Sequence, residues 1–299
     1  DVNLFNNRLS GVFEWYQRNT NGMLAPGVQL PAVVGASAPY QNTADMRTRG
    51  WELSLNWRDQ IGKVGYRIGF NLSDYKSEII KYDDNAATKL LSSYYPGQTL
   101  GEIWGYVVDG YYTVDDFVDT SSWQLKEGVT SINGYNVRPG DVKFKNLRDD
   151  DTSTNVITSG DNTFDNPGDR KVIGNTTPRY QYGINLGMNY AGFDLNVILQ
   201  GTGKRDYWIS NVLTFPMNGD NFVPLFEGLS DYWMPKDPDN GDWSAVNPNA
   251  KYPRIYGNRG NSGSNLRQSD KYLSDASYLR IKNITLSYKL PKKWVNKIF

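Results

Sequence analysis

Between Arg179 and Gly201 every second residue is apolar or aromatic: Tyr180, Tyr182, Ile184, Leu186, Met188 and Tyr190, then Phe193, Leu195, Val197 and Leu199 after Ala191-Gly192. The intervening Gln181, Gly183, Asn185, Gly187, Asn189, Asp194, Asn196 and Gln200 are polar or lack a side chain. A strand turns successive side chains to opposite faces, so the stretch predicts a hairpin with one apolar and one wet face. Each arm has the length of a tilted strand crossing a bilayer, and the tyrosines sit toward its ends, where aromatic girdles belong. The pattern is that of an all-β, antiparallel transmembrane barrel.

A second hairpin repeats it. Trp51, Leu53, Leu55 and Trp57 alternate with Glu52, Ser54 and Asn56, and after a short turn Tyr66, Ile68, Phe70 and Leu72 alternate with Arg67, Gly69, Asn71 and Ser73. From Leu9 to Arg18 the alternation sets Leu9, Gly11, Phe13 and Trp15 against Ser10, Glu14 and Tyr16, with Val12 as the break. The last strand, Ser277 to Leu290, changes phase between Ile281 and Ile284, which predicts a bulge near Lys282-Asn283. Roughly six strands result from these periods. Their connections alternate: long at about 19–46, short at Asp59–Lys63, long at about 78–178, short at Ala191-Gly192, long at about 202–276. Outer-membrane barrels place short turns on the periplasmic side and long loops outside, so this order predicts the topology. So few strands cannot close a barrel, and an open edge in lipid leaves backbone groups unpaired. The remaining strands are expected from sequence beyond these residues.

The 299 residues contain no cysteine and no histidine, which removes thiol nucleophiles, disulfides, Cys/His metal sites and imidazole bases. Basic and acidic residues balance at 32 each, and without an overall positive field a nucleic-acid partner is not expected. No run of eighteen apolar residues occurs, so no transmembrane helix is predicted. The mean hydropathy of −0.61 is compatible with a barrel, in which only alternate residues meet lipid. Asp1-Val2-Asn3-Leu4-Phe5 lacks the features of a signal peptide, and Pro291 to Phe299 does not alternate; the chain is expected to be a fragment cut at both ends.

Several further segments are spread over nearly the whole length: Pro31 to Thr43 (PAVVGASAPYQNT), Arg49-Gly50-Trp51-Glu52-Leu53, Gly69-Phe70-Asn71-Leu72-Ser73 and Pro139 to Lys145 (PGDVKFK). Val172 to Tyr180 (VIGNTTPRY), Gln200 to Asp206 (QGTGKRD) and Asp275 to Asn283 (DASYLRIKN) continue the series. Together, and in this order, they resemble the SusC/RagA family of TonB-dependent transporters from the outer membrane of Bacteroidetes-type bacteria. The resemblance implies a later part of a plugged barrel of about twenty-two strands. Residues 1–299 are then a partial barrel, with the plug domain and terminal strands outside this chain. It implies import of large nutrients, glycan oligosaccharides or peptides, under a SusD-like surface lipoprotein. Energy would reach it from the TonB-ExbB-ExbD complex through the missing N-terminal part. Where many relatives carry a compact Asp-x-Asn-Gly-Asp-Gly run, this chain has Asn146 to Asp151 and an insertion through Asp169.

Within that frame the chemistry-bearing residues fall into groups. Trp104, Tyr106, Trp208, Trp233 and Trp243 lie in the long connections, where rigid aromatic faces can stack on sugar rings or hold peptide backbone, or instead pack the loops together. Glu52, Arg67, Asn185, Asp194 and Arg280, with Glu14 and Lys282, are expected on the wet face, toward lumen or plug, and Gly183 and Gly187 are expected to leave room there for plug backbone. Asp149, Asp150, Asp151, Asp161, Asp165 and Asp169 invite a calcium reading, but Asn166 and Val172 stand where an EF-hand loop needs glycine and glutamate, so no metal is expected. No cofactor motif and no selectable carboxylate pair appear, so the chain is not expected to be an enzyme. The competing reading, a secreted or surface β-rich carbohydrate-binding or glycoside-hydrolysing module, would enclose the alternating apolar face in a core instead of turning it to lipid.

Overall fold

The alternating segments become the long strands of the computed structural model, which describes residues 1–27, 31–35, 39–85, 88–90, 94–148, 155–209, 227–256 and 264–291. The chain opens with β1 (Val2–Leu4), β2 (Leu9–Pro26), β3 (Tyr40–Ile61) and β4 (Val64–Tyr82). Six short strands follow: β5 (Glu102–Tyr106), β6 (Val108–Tyr111), β7 (Ser131–Ile132), β8 (Val142–Phe144), β9 (Val156–Ile157) and β10 (Arg170–Asn175). The second long hairpin is β11 (Arg179–Tyr190) and β12 (Phe193–Lys204). Then come β13 (Asp206–Trp208), β14 (Pro235–Asp237), β15 (Asp242–Ala245), β16 (Leu273–Asp275) and finally β17 (Tyr278–Tyr288). No helix among the described residues is long and apolar enough to cross a membrane.

Seven strands pair into one sheet in the order β1-β2-β3-β4-β11-β12-β17, every neighbour antiparallel. The register aligns like with like. Leu9, Trp57, Ile68, Leu186, Val197 and Ile284 stand side by side across six strands, and the next row holds Gly11, Leu55, Phe70, Ile184, Leu199 and Ile281. On the opposite face Val12, Ser54, Asn71, Gly183, Gln200 and Arg280 form a row of their own. A slip of one residue in any strand would exchange these faces, so the side-chain pattern itself fixes the pairing. At β17 the ladder passes from Asn283 to Ile281 and skips Lys282, the predicted bulge, which restores the apolar phase.

The apolar face is not enclosed. Phe13, Leu286 and Ile281 remain 62%, 67% and 62% exposed, with no other layer packed over them among the described residues. An apolar face this exposed, with no second sheet packed on it among the described residues, argues against the packed sandwich.

Short turns all lie at one end of the sheet. Gly62 (φ +58°) opens the two-residue turn between Ile61 and Val64, and Ala191 (φ +52°) and Gly192 (φ +90°) make the turn between Tyr190 and Phe193. Turns of this kind twist with the strands they join. The long connections all lie at the other end.

The connections differ from expectation in their bounds. The segment 19–46 is mostly strand: β2 runs on to Pro26 and β3 starts at Tyr40, leaving residues 27–39 as the connection. β4 likewise continues to Tyr82, past the expected boundary at 78. These extensions stand beyond the apolar band, where they are held by Ala25, Ala44, Ile79 and Tyr82 in a small core, by the Thr48–Ser77 hydroxyl pair and by the Arg47–Glu78 ion pair. Alternating hydrophobicity does not reveal them because apolar residues there fall on both phases, some buried as Ile79 and some exposed as Ile80. Residues 78–178 and 202–276, expected to lack regular structure, carry β5 to β10 and β13 to β16 as five two-stranded ladders.

Two glycines test the register. A Cβ on Gly201 would lie 2.4 Å from both the Tyr182 ring and the Tyr278 carbonyl oxygen, whereas on Gly183 its nearest neighbour is the Leu199 carbonyl oxygen at 3.9 Å. In the full-length protein folded in detergent, Gly201→Ala should cost about 1–3 kcal/mol by urea unfolding. Gly183→Ala should stay within about 0.5 kcal/mol of wild type. Equal effects would contradict the alignment.

Candidate functional site

The wet face gathers the charged candidates. Glu52, Arg67, Asn185, Asp194 and Arg280 share this face by register, with Glu14 directly opposite Glu52 and Arg58 opposite Arg67. Arg67 reaches across β11 to Asn196 (3.3 Å) and Asp194 (3.8 Å), and Arg280 donates to Gln200 (3.3 Å). The expected space over Gly187 is filled by Arg67, whose Nε lies 2.3 Å from where a Cβ would be; over Gly183 it stays open. A recess of ≈ 610 Å³ near the turn end is lined by Asn56, Arg67, Asn185 and Arg8 among others. Like charges directly across a ladder repel, so Glu14 and Glu52 are stable only where water or an opposite charge reaches them.

The loop end carries the second part of the site. One core there is built on Tyr106, Tyr112, Phe117, Val142, Phe144 and Ile157, and another on Leu229, Tyr252 and Tyr272. They come from different connections, and Asp141 joins them. Its carboxylate accepts from the Tyr256 hydroxyl (2.5 Å), Asn265 Nδ2 (2.9 Å) and the Arg138 amide (2.8 Å). Asn265 Oδ1 in turn accepts from the Val142 amide (2.8 Å), and the Arg254 amide donates to the Gly140 carbonyl (2.8 Å). Burial raises the Asp141 pKa from its ordinary 3.8, against the lowering by Tyr256, Asn265, the Arg138 amide and the Arg254 charge. The Tyr256 hydroxyl is pushed up by burial and then by the Asp141 charge, so it stays a donor at neutral pH. Gly140 makes the approach possible. Its φ is +88° and the Trp233 ring lies 2.3 Å from where a Cβ would sit, so only glycine fits.

The five aromatic candidates are dispersed rather than convergent. Tyr106 and Trp233 are buried, Tyr106 against Phe144 and Trp233 over Gly140, and serve as loop core. Trp208 packs on the Leu229, Tyr252 and Tyr272 cluster. Trp104 donates from Nε1 to Glu102 (2.8 Å) and meets Phe164 edge-on. Trp243 stands at the join, T-shaped to Trp123 at 5.0 Å with the Arg254 guanidinium 4.9 Å above its ring. Sequence reasoning missed Asp141, Asn265, Tyr256 and Arg267, residues without periodic signal that meet partners of another connection more than a hundred positions away.

Among the described residues no group of three or more carboxylates is placed to hold a metal ion. Both Asp169 oxygens are taken by backbone amides, of Leu147 (2.8 Å) and Thr158 (2.7 Å), and Asp161 accepts from Asn166 (3.1 Å). Asp149, Asp150 and Asp151 lie outside the described residues.

Asp141→Ala strands three donors, each costing about 1–3 kcal/mol when left buried and unpaired. Hydrogen exchange should therefore speed up in residues 136–144, 250–256 and 264–272 by tenfold or more, roughly the response to a loss of 1.4 kcal/mol, while β3, β4, β11 and β12 keep their protection. Unchanged exchange in those loop segments would remove Asp141 from this role.

No protein-family model matches the chain. Over 312 aligned residues it is 27% identical to TonB-dependent receptor P3 of Formosa agariphila, an alignment covering 99% of this chain and 27% of that protein. TonB-dependent receptors P26 and P39 of the same organism are 23% and 25% identical over 97% and 100% of the chain. The chain thus spans 27% to 29% of the length of these curated relatives. Among solved structures, the RagAB peptide importer in its closed-closed state superposes with a TM-score of 0.65 at 22% identity, covering 98% of this chain and 28% of that one. Its open-open state gives 0.65 at 23% identity, covering 98% of this chain and 27% of that one. In sequence the chain is thus similar to TonB-dependent receptors, and in fold it is similar to a stretch of the RagAB peptide importer.

Proposed function

We propose that the chain supplies part of the barrel wall and extracellular loop layer of an outer-membrane importer of large nutrients, glycan oligosaccharides or peptides. The observation that carries this reading is the set of apolar rows, in register from β2 to β17 and bare of any covering layer. Hydrocarbon is the environment that makes such a face favourable, and only a closed sheet satisfies its backbone there. Strands from the rest of the protein close the barrel beyond β1 and β17.

The wet face then lines the lumen. A plug in the lumen offers Glu14 and Glu52 the opposite charges that the described residues do not place beside them, and it meets the TonB-ExbB-ExbD complex on the periplasmic side. Above, the joined loop layer forms the surface on which a SusD-like lipoprotein seats and between which cargo is held. The chemistry is binding, gating and release. Trp104, Trp208 and Trp243 keep partly exposed faces and are the aromatic candidates for cargo contact.

Adjacent positions of β11 test the facing. Leu186 sits mid-row between Ile68 and Val197 on the apolar face, and Asn185 is on the wet one. Leu186→Arg in the full-length protein should cost about 2–4 kcal/mol at the bilayer midplane and reduce the heat-modifiable, assembled form in outer-membrane fractions. Asn185→Arg should assemble close to wild-type level. Matching behaviour of the two variants contradicts lipid facing, as does full-length wild type that stays monodisperse without detergent.

A further inference from the structure

Among the described residues Arg267 has no counter-charge. Its guanidinium lies against two tyrosine rings, 5.4 Å from the Tyr106 centroid and 5.2 Å from that of Tyr135. Among the described residues no carboxylate stands within ion-pair distance of it. Its side chain donates no hydrogen bond to them either, whereas its backbone amide is tied to Ser264. Stacking on rings restricts the side chain yet leaves the N–H edge of the guanidinium, with five donors in a planar fork, available to something else.

Arg267 lines a recess of ≈ 400 Å³ together with Tyr106, Asn133, Ile157, Thr158, Ser159 and Gly160. The volume lies within the range of small-ligand sites. Its wall is fixed from behind. Asp169 Oδ2 accepts from the Thr158 amide (2.7 Å), and Arg170 donates to the Ser159 carbonyl (3.0 Å), to Asn162 Oδ1 (2.6 Å) and to the Pro167 carbonyl (3.1 Å). Gly160 and Gly168, at φ +52° and +63°, approach so closely that a Cβ on Gly168 would lie 2.4 Å from the Gly160 nitrogen. The segment 158–160 is therefore held against the loop core, and Ser159 and Asn133 line the recess. Arg170 adds a second positive charge behind the wall, and its bonds go to carbonyl and amide oxygens.

We propose that this recess binds a carboxylate carried by the cargo, the guanidinium of Arg267 taking the two oxygens as a fork while Asn133 and Ser159 complete the contacts. A planar, charged donor edge held on aromatic rings matches a planar anion, and such charge-assisted pairs are stronger than neutral ones. The carboxylate has two possible sources, a peptide C-terminus or the uronic acid of an acidic oligosaccharide. The assignment of the ligand to cargo rests on the import reading; the binding chemistry does not.

The full-length protein is titrated calorimetrically with four probes: N-acetyl-tetraalanine, its C-terminal amide, trigalacturonate and the methyl ester of trigalacturonate. Wild type should bind at least one acid about tenfold more tightly than its neutral form, and which acid does so identifies the source. Arg267→Gln should abolish that preference while leaving affinity for the neutral form within about twofold, and Arg267→Lys, which keeps the charge without the fork, should restore only part of it. Wild type that binds neither acid, or binds acid and neutral forms alike, overturns the proposal. So does a preference that survives in Arg267→Gln. Failure of the import reading shows separately, as solubility without detergent, and the same four titrations run in plain buffer still decide the recess.

Discussion

The structure depends on the match between side-chain alternation and strand register. Six long strands each carry a period of two, and each pairs so that apolar positions stand beside apolar positions. Because a one-residue slip would move a whole strand's apolar set to the wrong face, the pairing is specified at many positions at once. The result is a sheet with one face suited to hydrocarbon and one suited to water. The rest is arranged about that division: short turns at one end, long connections at the other, charges on the wet face and aromatics toward the margins of the apolar one.

The long connections obey different rules. No lipid orders them, so they carry their own cores, which use tyrosine and tryptophan for bulk and arginine or lysine over the rings for the polar edge. Asp141 binds residues of two connections into one layer through its hydrogen bonds from Tyr256 and Asn265, while the Arg138 amide holds its carboxylate locally. Joined this way, the two connections share one continuous network of polar contacts beside their separate apolar cores. Those cores explain why most loop aromatics are occupied in packing, as Tyr106 and Trp233 show.

The barrel segment was legible in the sequence because the residues from Arg179 to Gly201 report their own facing, with Ile198, apolar on the wet face beside Asn185, as an exception. The phase change at Ile281 and Ile284 was enough to place the bulge at Lys282. The ends of β2, β3 and β4 were not legible, since above the apolar band Met23, Met46 and Ile79 pack on loop residues and no solvent contrast marks their phase. In the loop layer the failure is of another kind. Asp141 lies in a Pro-Gly-Asp segment that drew notice only by resemblance, and its partners Tyr256 and Asn265 are more than a hundred residues away. Trp104, Tyr106, Trp208, Trp233 and Trp243 could be named from their type, but not sorted into core and surface, because sequence shows neighbours along the chain and not across it.

Lipid quenching of a single reporter on β11 measures the central claim most directly. The described segment has no cysteine of its own, so a bimane label at Leu186→Cys or Asn185→Cys, with any cysteine elsewhere in the full-length protein replaced, reports one position at a time. In vesicles of lipids brominated on their acyl chains, the label at 186 should be strongly quenched and the label at 185 left bright. Equal quenching at both positions, or a bright label at 186, would show that the alternating face does not meet hydrocarbon.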